Sequence, residues 1–195
     1  MEGLSASATV YYCAASLDGY IAEADDTIEW LTGYDGHYEG NGGEPVEGGY
    51  EDFYEEVGAL VSGSVTYEWV LGHTQGGGEW PYKGKPWWIL SSRDLPVPAG
   101  EGIDVRIANA PVPDLYDEMT AAAGDRHLWV VGGGNVASQF ADADLLDEVH
   151  VTVVPVVLGA GKPLFDRRLP GGPMQLTGML PRSSGMVELR YEVRR

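Results

Sequence analysis

The sequence predicts an α/β fold, with a mostly parallel central sheet and an antiparallel C-terminal hairpin. Short, apolar, β-rich runs alternate with helical segments along most of the chain, the pattern of strand–crossover–strand units. Near the end, Met174 to Leu180 and Met186 to Val193 bracket Pro181-Arg182-Ser183-Ser184-Gly185, which reads as a hairpin turn.

The elements follow in order. Ala8 to Ala15 (ATVYYCAA) reads as a buried strand feeding the turn Ser16-Leu17-Asp18-Gly19. Thr32 to Gly49 holds seven Gly in eighteen positions. A structureless loop of that length inside a compact domain is functional or an insertion. Tyr50 to Val57 reads as a short acidic helix, Ala59 to Gly63 as a buried strand, and Ser64 to Leu71 as a helix with Ser64 as N-cap. A second loop, GHTQGGGEWPYKGK, precedes the apolar strand Pro86 to Ser91, in which alternation turns only one of Trp87 and Trp88 inward. Asp104 to Ala108 is a strand, and Val112 to Ala123 a helix with Gly124 suited to its C′ position. His127 to Val131 is a strand broken by Gly132-Gly133-Gly134, followed by a helix over Asn135 to Phe140 and a long strand over Glu148 to Val157. No repeat and no linker divides the chain, so one domain over residues 1–195 is expected.

Composition narrows the function. Twelve Lys+Arg against thirty Asp+Glu give a formal charge of −18. That balance repels phosphate backbones and anionic lipid, which argues against nucleic-acid and membrane partners. The chain lacks an apolar run long enough for a membrane helix and a basic leader with an apolar core, so a cytoplasmic protein is expected. The single Cys13 forms no intramolecular disulfide and sits in an apolar run as a buried thiol. His37 and His73 fall in expected loops, His127 and His150 at expected strand starts, and none has metal-ligand spacing, so no metal is expected.

Three segments fall at the carboxyl ends of expected parallel strands, where open α/β sheets bind ligands. In Trp129-Val130-Val131-Gly132-Gly133-Gly134-Asn135-Val136 a strand runs into glycines and opens a helix. Absent Cβ atoms let a ligand approach the backbone, and the free N–H groups and positive dipole end of the helix attract phosphate. Gly63-Ser64-Val65-Thr66 repeats that arrangement, and Ser91-Ser92-Arg93 adds hydroxyls and a guanidinium fork suited to a phosphate monoester.

These residues, taken in order, resemble a family. SLDGYIA (16–22), Trp30, LVSGSVTYE (60–68), WILSSR (88–93), WVVGGGNV (129–136) and HVTVVPVVLGAGKPLF (150–165) are similar to the dihydrofolate reductase-like superfamily, and within it to the C-terminal reductase domain of the riboflavin-biosynthesis deaminase/reductase RibD. The resemblance covers about residues 8–193 and implies the three-layer dihydrofolate reductase-like fold and a reductase using NADPH, related to 5-amino-6-(5-phosphoribosylamino)uracil reductase. It implies that Ala15 and Ile21 flank the nicotinamide, with Asp18 and Gly19 shaping the loop over it. Gly63, Ser64, Val65 and Thr66 would cradle pyrophosphate and ribose, and Gly132, Gly133, Gly134, Asn135 and Val136 would approach from the other side. Ser91, Ser92 and Arg93 would hold the 2′-phosphate, favouring NADPH over NADH. Family members are often homodimers, and the strand Val149 to Val157 with Leu158 is the expected pairing surface.

The substrate is expected to be a small heterocycle. Trp30, Trp80 and Tyr82 are candidates to stack on it. Asp35, five residues after Trp30, and Asp52 are the candidate proton donors. The chain has Ser64 where family members commonly carry Arg, and Gly132 where riboflavin-pathway reductases carry an acid. Those reductases also carry Asp-Asp-Pro and a downstream Arg after the Gly63 motif, where this chain has Glu68-Trp69-Val70-Leu71-Gly72-His73. These departures argue against riboflavin-pathway activity. The alternative is a non-catalytic protein that binds or sequesters a small molecule on the same fold.

Overall fold

The computed structural model describes residues 7–34, 47–75, 78–182 and 185–194. The elements run β1 (Thr9–Ser16), β2 (Tyr20–Ala22), α1 (Glu29–Thr32), α2 (Tyr50–Glu55), β3 (Val57–Gly63), α3 (Ser64–Gln75), β4 (Trp87–Leu90), β5 (Val105–Ala108), α4 (Val112–Ala123), β6 (His127–Gly132), α5 (Gly134–Asp142), β7 (Glu148–Val154), β8 (Lys162–Pro163), β9 (Gln175–Pro181) and β10 (Val187–Glu192).

Eight strands form one sheet in the order β5-β4-β3-β6-β1-β7-β10-β9. From β5 to β7 the pairings are parallel, and β10 adds antiparallel to both β7 and β9. The expected mostly parallel sheet with a C-terminal hairpin is therefore what folds. A second sheet of β2 and β8 joins two segments about 140 residues apart in sequence, which no local pattern announces.

Alternation along the strands divides the core between the two faces. Val10, Tyr12, Leu60, Trp87, Ile89 and Trp129 pack with Phe53 of α2 and with Tyr67, Val70 and Leu71 of α3. Tyr11, Ala59, Val61, Trp88, Leu128 and Val130 pack on the other side with α4 and α5. Helices on both faces make the three layers. They also bury both Trp87 and Trp88, each at 1% exposure or less, where alternation suggested a single inward ring. A parallel sheet covered twice has two inward directions. The helix α4 matches its expected span, with Pro113 in its first turn and Gly124 (φ +65°) ending it through an N–H bond to the Thr120 carbonyl. His73 lies in α3, not in a loop, because that helix runs four residues beyond Leu71.

The strand expected over 148–157 ends at Val154, and both its edges are used, by β1 and by β10. Pairing across subunits through β7 is therefore closed, and β9 is the outer strand on that side. Beneath the hairpin lies a buried ion cluster. Glu188, 1% exposed, accepts from Arg182 Nη2 at 2.8 Å, Arg190 Nε at 2.7 Å and the Tyr12 hydroxyl at 3.0 Å. Removing the one carboxylate would leave two largely buried guanidiniums without it. Glu188→Gln is therefore expected to destabilise the fold by about 3–5 kcal/mol, read from denaturant unfolding; a loss under about 1 kcal/mol would refute the cluster's role.

Candidate functional site

The helix after β3 and the helix after β6 leave toward opposite faces of the sheet, as α3 joins one core cluster and α5 the other. The two strands are neighbours, with Ser62 opposite Gly132. Diverging connections at neighbouring strands open a crevice beyond their carboxyl ends. A cavity of about 1000 Å³ fills it.

The cavity wall brings together two of the three expected segments. Gly63, Ser64, Val65 and Thr66 face it from the start of α3, and Gly132 to Val136 from the start of α5. Gly133 is the N-cap of α5 and no side chain caps that end. The first-turn N–H groups, which have no acceptor within the helix, thus border the cavity. The Gly132–Gly133 peptide bond is cis, and Gly132 has φ +155°, a conformation that residues with side chains rarely adopt. A Cβ on Gly132 would lie 3.2 Å from Thr66 Oγ1, and one on Gly133 would lie 3.5 Å from Ile21 Cδ1. Gly134 differs: its Cβ would stand 2.6 Å from the carbonyl oxygens of both Pro163 and Leu164. Packing against the chain around β8 thus demands glycine at 134.

The other expected site residues lie farther out. Ile21 lines the cavity, as do Cys13 and Ala14, whereas Ala15, Asp18 and Gly19 are outside its wall. Burial pushes the Cys13 thiol up to about 12, so it is protonated at neutral pH. Asp18 acts as a clamp: it accepts from Ser16 Oγ (2.7 Å) and from the backbone N–H groups of Leu158 (3.1 Å) and Gly159 (2.7 Å). The Ser16 bond, with the two amides, holds its carboxyl below the usual range. Asp166 accepts from Asn135 Nδ2 at 2.6 Å at the cavity edge, and this bond chiefly lowers its carboxyl as well.

Ser91, Ser92 and Arg93 follow β4 but lie outside the cavity wall, which Leu90 reaches. Arg93 makes a two-pronged bond to Glu68 of α3, at 2.9 and 2.6 Å. Asp52 is exposed and accepts from the Gly48 N–H at 2.5 Å, outside the wall. Asp35 lies outside the described residues. Of the expected aromatic groups only Tyr82 lines the cavity, while Trp80 is buried against Trp87 and Trp30 packs with the cluster around α1. The wall instead holds Tyr12, Tyr50, Tyr54, Trp69 and Trp129. The place of these rings at an opening comes from tertiary packing.

Two outcomes follow from this geometry. Gly134→Ala is expected to cost about 1–3 kcal/mol of stability through the clash with the 163–164 backbone, read by thermal unfolding; an unchanged midpoint would refute it. A lowered Asp18 carboxyl favours the clamp above the ordinary aspartate range, and that contribution is lost as pH falls through the depressed value. Amide exchange at Leu158 and Gly159, corrected for its intrinsic pH dependence, should therefore be protected at neutral pH and released at strongly acid pH. Asp18→Asn should lose much of that protection at every pH; protection independent of both would rule the clamp out.

The family model for the RibD C-terminal domain matches residues 80–187. YwjB of Bacillus subtilis, an uncharacterized protein, is 34% identical over 157 residues, covering 80% of this chain and 82% of that protein. A crystal structure from Shewanella sp. PV-4, of a protein named for riboflavin biosynthesis, superposes with a TM-score of 0.78 at 29% identity, covering 96% of this chain and 99% of that one. Dihydrofolate reductase from Enterococcus faecalis, solved with NADP(H), shares the fold at a TM-score of 0.54 and 16% identity, over 95% of this chain and 94% of that one. With its sheet order and the crevice beside β3 and β6, the chain belongs to the RibD C-terminal domain family and carries the dihydrofolate reductase-like fold.

Proposed function

We propose that this chain is an NADPH-dependent reductase that transfers a hydride to a small heterocyclic substrate. One observation carries the reading: the starts of α3 and α5 border the same cavity, with Gly63, Gly132 and Gly133 on its wall. Such an arrangement fits a pyrophosphate, whose charge is met by N–H groups and helix dipoles without a lysine-rich surface. When bound, NADPH supplies the hydride. The chain supplies position. Gly63, Ser64, Val65 and Thr66 would hold one side of the pyrophosphate and Gly132 to Val136 the other. Ala15 and Ile21 would flank the nicotinamide, and the Asp18 clamp would fix the loop beside it. Ser91, Ser92 and Arg93 would hold the 2′-phosphate at the rim.

A binding protein without turnover is the second reading, and the carboxylates favour it. Of the carboxylates on the wall, Asp26 is paired with Lys162 at 3.3 Å, Asp166 accepts from Asn135 and Glu79 lies 4.0 Å from Lys83, while Asp52 lies outside the wall. Oxidation of bound NADPH with any heterocycle would remove that reading.

The Arg93–Glu68 pair makes the cofactor test sharper. A 2′-phosphate must compete with Glu68 for the guanidinium. Nicotinamide fluorescence titrations should therefore show Arg93→Ala weakening NADPH on the order of tenfold, with NADH little changed. Glu68→Gln should strengthen NADPH binding and leave NADH near its wild-type affinity. No binding of either cofactor would overturn the reductase reading.

A further inference from the structure

One end of the cavity is built from aromatic rings whose polar atoms are already engaged. Tyr50 stacks on Tyr54 at 5.9 Å, and Trp129 contacts Tyr50 at 5.8 Å, Tyr82 at 5.7 Å and Tyr12 at 6.5 Å between ring centroids. The Tyr12 hydroxyl donates to Glu188, the Tyr54 hydroxyl to the Pro81 carbonyl, and Trp129 Nε1 to the Tyr12 carbonyl. What these three rings have left to offer a ligand is π surface.

The charges around this end are as informative. Among the described residues, the wall holds no arginine, a single lysine, Lys162, which is paired with Asp26, and one histidine, His73, whose ring packs on Trp69 with Nδ1 2.9 Å from that residue's carbonyl; its carboxylates are Asp26, Glu79 and Asp166. Three cations beside or behind the rings are committed elsewhere. Lys85 lies 4.5 Å over the Tyr54 ring and donates to the Val57 carbonyl, while Arg182 and Arg190 are held by Glu188 behind Tyr12. None of the three lines the cavity. A phosphate or carboxylate brought here would lose water and find, as the wall's one lysine or arginine among the described residues, a Lys162 already paired with Asp26.

We propose that the aromatic end binds a flat heteroaromatic ring bearing neither phosphate nor carboxylate, and that a phosphoribosyl-bearing ring is excluded. That this ring is the hydride acceptor rests on the reductase reading; that it binds does not. Stacking on Tyr50 and Tyr54 and the apolar wall would supply the affinity, and the lack of an uncommitted lysine or arginine in the wall would supply the selectivity.

Riboflavin and flavin mononucleotide differ by one phosphate and report stacking through their own fluorescence. Each is titrated into the full chain with and without saturating NADP⁺, in about 0.5 M salt so that long-range repulsion from the net charge is screened. Riboflavin is expected to bind with quenching, at least threefold more tightly than flavin mononucleotide. Tyr50→Leu should weaken riboflavin on the order of fivefold or more, with Tyr54→Leu as the second variant if the first melts early. Flavin mononucleotide binding as tightly as riboflavin, no binding of either up to millimolar concentration, or both folded variants binding riboflavin like the wild type would each overturn the proposal. Flavin discrimination without any nicotinamide binding would remove the reductase reading and leave the aromatic site standing. Nicotinamide binding without flavin discrimination would do the reverse.

Discussion

The crevice exists because β3 and β6 lie side by side while the helices that follow them must bury their apolar stripes on opposite faces. Tyr67, Val70 and Leu71 commit α3 to one core, and Val136, Ala137, Phe140 and Ala141 commit α5 to the other. Two chains that diverge from adjacent strand ends cannot close over the space between them. The backbone there stays within reach of a ligand, with Gly63 and Gly132 at its edge. On one flank the small β2–β8 sheet closes in, made possible by the lack of a Cβ on Gly134.

Electrostatics assign different tasks to different parts of this opening. At the helix starts, partial charges from backbone N–H groups would meet an anion without adding a basic residue, in keeping with a chain whose net charge is −18. Beyond β4, outside the wall, Arg93 is already partnered by Glu68, so an anion held there would have to displace a carboxylate. At the aromatic end the cations are turned to structure. Glu188 gathers two arginines and the Tyr12 hydroxyl below the wall, which fixes Tyr12 while keeping charge out of the cavity. One opening thereby joins two helix starts to an apolar, π-rich side.

Much of the fold was legible because its signals are local. The apolar run ATVYYCAA, the glycine that ends α4, and the glycines after Val131 each act on their own neighbours within a few residues. The same locality explains the misses. Alternation cannot say that a strand has helices on both faces, so one of Trp87 and Trp88 was expected outside. An apolar strand does not reveal which of its edges are taken, so β7 read as a pairing surface although β1 and β10 occupy both sides. Trp80 stood in a polar loop and read as a stacking residue, yet it is buried against Trp87.

By itself the sequence determined the parallel α/β order, the closing hairpin, the places where glycine-rich strand ends open into helices, and a strongly acidic composition. Those follow from spacing and composition, which each segment carries alone. Only the tertiary structure decided which of these segments share a wall, that Glu68 holds Arg93 from 25 residues away, and that Tyr12 is anchored by Glu188 from 176 residues away. It also decided that Tyr12, Tyr50, Tyr54 and Trp129 border an opening while Trp80 does not. Contacts of that range are set by strand order and layer packing, and no residue's own neighbours in sequence encode them.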